Sequence, residues 1–125
     1  TLVVDPAGVA TGAVTLTLSS EITGTLTLNA APLTITLSRP AQNARLTFAG
    51  TAGQLATVRV TGNTVPGLTT IRLLRQTGSY LTYTWSAAAS FNLAQVTLPA
   101  TETYTVFVDP SGVATGALNL QVTNP

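Results

Sequence analysis

The sequence predicts an all-β domain, an antiparallel β-sandwich of jelly-roll-like form. Apolar and hydroxyl-bearing residues alternate with period two along most of the chain, and turn residues interrupt the alternation about every ten positions. No segment sustains a 3.6-residue period, so helices are expected to be minor.

Taken in order, Val14, Leu16 and Leu18 alternate with Thr15 and Thr17, Leu26 and Leu28 with Thr25 and Thr27, and Leu33, Ile35 and Leu37 with Thr34 and Thr36. Each run places apolar side chains on one face of a pleated strand and hydroxyls on the other. The same pattern predicts strands over 44–49, 55–61, 69–74, 80–85, 91–98, 103–109 and 117–123. Threonine, valine and isoleucine reinforce it, because β-branched side chains fit a half-buried pleated surface better than a helix.

The chain also repeats itself. VDPAGVATGA at 4–13 returns as VDPSGVATGA at 108–117, 104 residues later, with Ala7 against Ser111 as the sole difference. A period that long is too large for a solenoid coil and suits a whole sandwich domain. Residues 1–20 therefore read as the closing hairpin of a preceding repeat, or as strands exchanged between copies, and residues 21–125 as a complete repeat. The DPAG and DPSG segments read as turns: Asp5 and Asp109 at position i, Pro6 and Pro110 at i+1, Gly8 and Gly112 at i+3.

Composition narrows the function. Charged residues make up 7% of the chain, against about 25% in ordinary soluble domains, and the net charge of +1 comes from five arginines with no lysine. Without a basic stripe, nucleic acid is a poor partner. No apolar run is long enough for membrane insertion as a helix. With neither histidine nor cysteine, the chain has no common general base, no Ser-His or Cys-His pair and no thiolate metal site. The expectation is that it is not an enzyme and has no cofactor.

Asp5 and Asp109 are weak calcium candidates, since hard cations take carboxylate oxygens, but six to eight ligands are needed and no acidic loop supplies them. Strand parity puts Leu81, Tyr83 and Trp85 on one face, so Tyr83 and Trp85 are expected in the core beside Leu81. Tyr80 is then left as the one exposed ring able to touch a glycan. Arg59 and Arg72 alternate with apolar neighbours and are expected to point outward. Sheet edges without lysine need cover from neighbouring copies or from a glycan coat.

The closing stretch VTLPATETYTVFVDPSGVATGALNLQV, with its LP-x-x-x-x-Tyr step, resembles the pre-peptidase C-terminal β-sandwich domains of secreted bacterial proteins. The longer pattern from EITGTLTLN through QNARLTFAGTAGQ to VDPSGVATG resembles tandem modules of large bacterial surface proteins, including some with RHS or YD repeats. The resemblance implies export and a noncatalytic accessory or stalk role, and supplies no catalytic residues. The expected function is a structural repeat of a secreted or cell-surface stalk, fibre, sheath or adhesin whose partners are neighbouring copies of the same module. The alternative is a carbohydrate- or substrate-binding accessory module of a secreted hydrolase.

Overall fold

Side-chain alternation sets the architecture. The computed structural model describes residues 1–125 and has ten strands and no helix. They are β1 (Ile22–Thr25), β2 (Leu33–Leu37), β3 (Ala44–Gly50), β4 (Leu55–Thr61), β5 (Thr69–Leu74), β6 (Tyr80–Ser86), β7 (Phe91–Asn92), β8 (Val96–Thr97), β9 (Glu102–Pro110) and β10 (Gly116–Thr123). One sheet has the order β1-β3-β9-β5-β6; the other runs β2-β10-β4-β7, with β8 also paired to β4. All pairings are antiparallel except β1 with β3. The all-β sandwich expected from the sequence is the fold.

The core lies between the sheets. Ala44, Leu46 and Phe48 of β3, Ile71 and Leu73 of β5, and Tyr104, Val106 and Val108 of β9 face inward from the first sheet. Ile35 and Leu37 of β2, Ala56, Val58 and Val60 of β4, and Leu118, Leu120 and Val122 of β10 meet them from the second. Every set steps by two residues, as a strand with one buried face requires.

Three strand expectations change. The 91–98 run divides into two short strands, β7 and β8, both on β4. Leu26 and Leu28 follow the end of β1, where the chain turns at Asn29 with φ 59° and Leu26 drops into the core. Residues 14–18 form no strand, because no partner lies alongside to complete a hydrogen-bonded ladder.

The repeated segment also differs from a hairpin. β9 lies between β3 and β5 and β10 between β2 and β4, so residues 111–115 form an arch that carries the chain from one sheet to the other. Its turn hydrogen bond runs from the Ala114 N–H to the Ser111 carbonyl (3.3 Å), two residues later than the sequence pattern suggests. Asp109 and Pro110 close β9 opposite Thr70 and Thr69, and Gly112 takes the second turn position with φ 60°, a left-handed conformation that favours glycine. Proline lacks a ladder donor, which helps end the strand there.

Beneath β9, the fully buried Tyr104 stacks on Phe48 with centroids 5.6 Å apart, and its hydroxyl donates to the Ala100 carbonyl (2.6 Å) while accepting from the Ala100 N–H (3.2 Å). This tyrosine corner gives the LP-x-x-x-x-Tyr step its physical meaning: the phenol ties strand β9 to the loop that feeds it.

Arg75 and Glu102 form a bidentate pair (2.7 and 3.2 Å) that joins the chain just beyond β5 to the start of β9. The Arg75 hydrogen bond holds the Glu102 carboxyl below the usual carboxylate range. A lowered carboxyl stabilises the fold fully above the ordinary carboxylate range, and that contribution is lost as the pH falls through the lowered value. Glu102→Gln is therefore expected to melt below the parent at neutral pH, with the gap narrowing in acid. Melting curves at a series of pH values check this, and a gap that does not change with pH would remove the role assigned to the pair.

Candidate functional site

The outer face of the first sheet carries the densest grouping of aromatic and charged side chains. It depends on a β-bulge. Leu74 pairs with Tyr80 but Leu73 pairs with Thr82, so Leu81 is an extra residue on β6. An extra residue reverses the side-chain parity of the strand beyond it. Leu81 packs against the core as expected, yet Tyr80, Tyr83 and Trp85 all emerge on the outer face, opposite Leu74, Arg72 and Thr70. Their exposures are 61%, 48% and 57%. The expectation that Tyr83 and Trp85 are core residues is thus corrected, because the bulge at Leu81 inverts the facing of the β6 side chains beyond it.

The three rings line one cleft together with Thr70 and Arg72. Tyr83 and Trp85 lie nearly parallel, 25° apart with centroids separated by 5.7 Å, and Tyr80 stands at 87° to Tyr83 at 5.5 Å. Strand register places Thr23, Arg45, Phe107, Arg72 and Tyr83 in a single row across all five strands. Along it the Arg45 and Arg72 guanidinium carbons approach the Phe107 ring at 4.6 and 5.8 Å, a cation–π arrangement. Arg45 also pairs with Glu21 at 3.0 Å, and Arg72 with Asp109 at 3.1 Å. The arginines point outward as expected, and these two are fixed by partners.

The sequence shows that the three rings lie close together along the chain but not that they share a face. Tyr80, Tyr83 and Trp85 step by three and then two, and a step of three on one strand face needs a bulge. The contributions of Arg72 and Phe107 had no sequence signal, because they depend on which strands become neighbours.

The second place of interest is residues 1–18, where the first copy of the repeat lies. Gly8 has φ 58° and the Ala10 N–H donates to the Ala7 carbonyl (3.2 Å), matching the arch at Gly112. Asp5, Pro6 and Gly8 thus occupy the same local corner as Asp109, Pro110 and Gly112, again with the turn two residues later than anticipated. The environments differ completely. Val106, Val108, Leu118, Leu120 and Val122 are at most 1% exposed, whereas Leu2, Val4, Val14, Leu16 and Leu18 at the equivalent positions are 51–91% exposed. Val4, Pro6, Ala13 and Val14 line a shallow apolar groove between the two halves of this arm.

The arm is fastened where it joins the sandwich. The Ser19 hydroxyl donates to the Pro40 carbonyl (2.8 Å), and the Gln42 amide donates to the Ser20 carbonyl (3.0 Å) while its oxygen accepts from the N–H groups of Ser38 and Arg39. The other end of the sandwich has a corresponding grip: Asn29 Oδ1 accepts from the Asn124 N–H (2.8 Å), and the Asn29 N–H donates to the Val122 carbonyl. Register shows that these ends are opposite. β1 starts level with Ala44, at the end where the 111–115 arch lies, and β10 finishes beside the start of β4.

The chain matches no family model and no curated protein. Among solved structures it is similar to the pre-peptidase C-terminal domain of a collagenase from Bacillus anthracis, at 17% identity and a TM-score of 0.67, over 82% of this chain and 95% of that one. It is also similar to PliG of Aeromonas hydrophila, a periplasmic inhibitor of g-type lysozyme, at 15% identity and a TM-score of 0.56, over 82% of this chain and 98% of that one. Both likenesses are of fold. The first agrees with the sandwich that the LP-x-x-x-x-Tyr stretch resembles.

The carboxylates are dispersed. Glu21, Glu102 and Asp109 are each engaged by an arginine, and no three metal-ligating side chains gather anywhere in the chain. Asp109, one of the two calcium candidates, directs its carboxylate to Arg72, and Asp5 lies on the exposed arm.

Proposed function

We propose that this protein is a noncatalytic structural module of an extracellular tandem array, a stalk, fibre or sheath, in which residues 1–20 are the closing strands of the preceding module. The observation that carries this reading is the state of the first repeat copy. It has an apolar side chain at each position where the second copy supplies the core, forms the same arch, and leaves those side chains in water. Five such side chains, worth roughly 1.5–3 kcal/mol each on burial, favour docking into a second sandwich.

The geometry at the junction supports a stiff array. Position 20 in the first copy is position 124 in the second. In a continuous chain the N–H at that position is held by Asn29 of the module before it, and the carbonyl by Gln42 of the module after it. No free linker remains between them. Because the chain joins and leaves the sandwich at opposite ends, successive modules extend head to tail. The longest strand, β9 with nine residues, would give an axial repeat of at least ~30 Å.

The low charge and threonine-rich surface favour an extracellular role built on close contact between copies, since few charges must be desolvated. The origins of the two similar folds, a collagenase and a periplasmic inhibitor, agree with a place outside the cytoplasm. A noncatalytic role is supported by the want of histidine and cysteine and by three of the four carboxylates being committed to arginines.

A chimaera tests the assignment of the arm. When the sequence of residues 1–19 replaces residues 105–123, the inward changes are Val106→Leu, Leu118→Val and Val122→Leu, of which two add a methylene and one removes one. Nearly volume-conserving swaps cost about 1.5 kcal/mol or less each. The chimaera is expected to fold cooperatively, with a melting point below the parent's by no more than roughly 15 °C. A chimaera that stays unfolded would show that the arm is not a pair of sandwich strands.

A further inference from the structure

We infer that the cleft on the outer face of β5 and β6 binds a neutral polysaccharide, stacking its pyranose rings on Tyr83 and Trp85 with Tyr80 and Arg72 at the margins. A pyranose has an apolar C–H face and a rim of hydroxyls. The cleft offers both complements: nearly parallel exposed rings for the face, and for the rim the Tyr80 and Tyr83 phenols, the Thr70 hydroxyl and the Arg72 guanidinium.

Charge selects the class of ligand. Arg72 is the charged residue lining the cleft, and Asp109 already pairs with it at 3.1 Å. The site is therefore neutral overall, and an acidic glycan would find no free cation there. Size argues against a protein partner. Stable protein interfaces take about 800 Å² and 20–30 residues from each side, whereas five residues line this cleft and the row beside it continues into threonine and paired charges. The bulge at Leu81 serves this arrangement, since without it Tyr80 could not share a face with Tyr83 and Trp85.

The site faces sideways from β5 and the edge strand β6 and leaves both ends of the sandwich free. It is independent of the tandem reading; in an array it would recur once per module, and weak single sites would add up to avidity.

Trp85 is the sole tryptophan, so its fluorescence reports on this cleft alone. The full chain would be titrated with cellohexaose, xylohexaose and chitohexaose at up to millimolar concentration. At least one is expected to shift the emission to shorter wavelength and to saturate. Tyr83→Ala should weaken that response roughly tenfold, the loss of one stacked ring. Trp85→Ala, followed by calorimetry, should lose a similar factor, with both variants keeping the parent far-ultraviolet circular dichroism. No shift with any of the three sugars, or an undiminished response in Tyr83→Ala, would overturn the inference. A shift produced by gelatin and by no sugar would assign the cleft to protein instead. Emission that depends on protein concentration without sugar would assign it to contact between copies.

Discussion

Tyr104→Ala is expected to destabilise the module by about 3–5 kcal/mol, the range for removing a buried aromatic side chain. In a domain of this size that lowers the melting point by roughly 15 °C or more. The reason is the combination of roles at one residue. The fully buried ring packs against Phe48 between the sheets, and the hydroxyl satisfies both backbone groups of Ala100. Tyr104→Phe separates the two. It keeps the ring and leaves the Ala100 N–H and carbonyl without that partner, at a cost of about 1–2 kcal/mol. Urea titration of both variants measures the split. Equal losses would mean that the hydroxyl, and not the packing, dominates; no loss in Tyr104→Phe would mean that water replaces the phenol at the loop.

Gly50→Val is the second large effect, expected to cost about 3 kcal/mol and possible only with local backbone movement. A Cβ at this position, the last residue of β3, would lie 2.8 Å from Tyr104 Cε2 and closer still to Leu98 Cδ1. Leu98 and Tyr104 are both fully buried, so neither can swing into solvent. The cause is contact with the ring and the leucine, since the backbone here is ordinary strand and imposes no special dihedral. A double variant provides the check: Gly50→Ala with Leu98→Ala should lose less than the sum of the two single variants, because the leucine methyl that collides has gone. Additive losses in the pair would refute the collision as the cause.

How much of this was legible beforehand depends on range. Leu46, Phe48, Val58, Val60, Ile71, Leu73, Val106 and Leu120 were readable as interior from alternation alone, because a regular strand sends every second side chain the same way. Tyr83 and Trp85 were misplaced because one inserted residue, Leu81, reverses that count, and nothing local distinguishes a bulge from an uninterrupted strand. The repeated corner shows the same boundary. Its turn forms alike beside buried, paired strands and beside an exposed, unpaired arm, which marks it as local, yet its expected identity as a hairpin failed because the flanking strands choose partners in different sheets.

The sequence by itself therefore determined the fold class, the inward face of most strands and the duplication, all of which follow from residue type and spacing along the chain. Tertiary structure decided the rest. It made residues 111–115 an arch, lined up Arg45, Phe107, Arg72 and Tyr83 from four different strands, and fixed the chain at opposite ends of the sandwich through Gln42 and Asn29. Those features depend on pairings between strands far apart in sequence, and period-two alternation says which face a residue occupies without saying which strand will lie beside it.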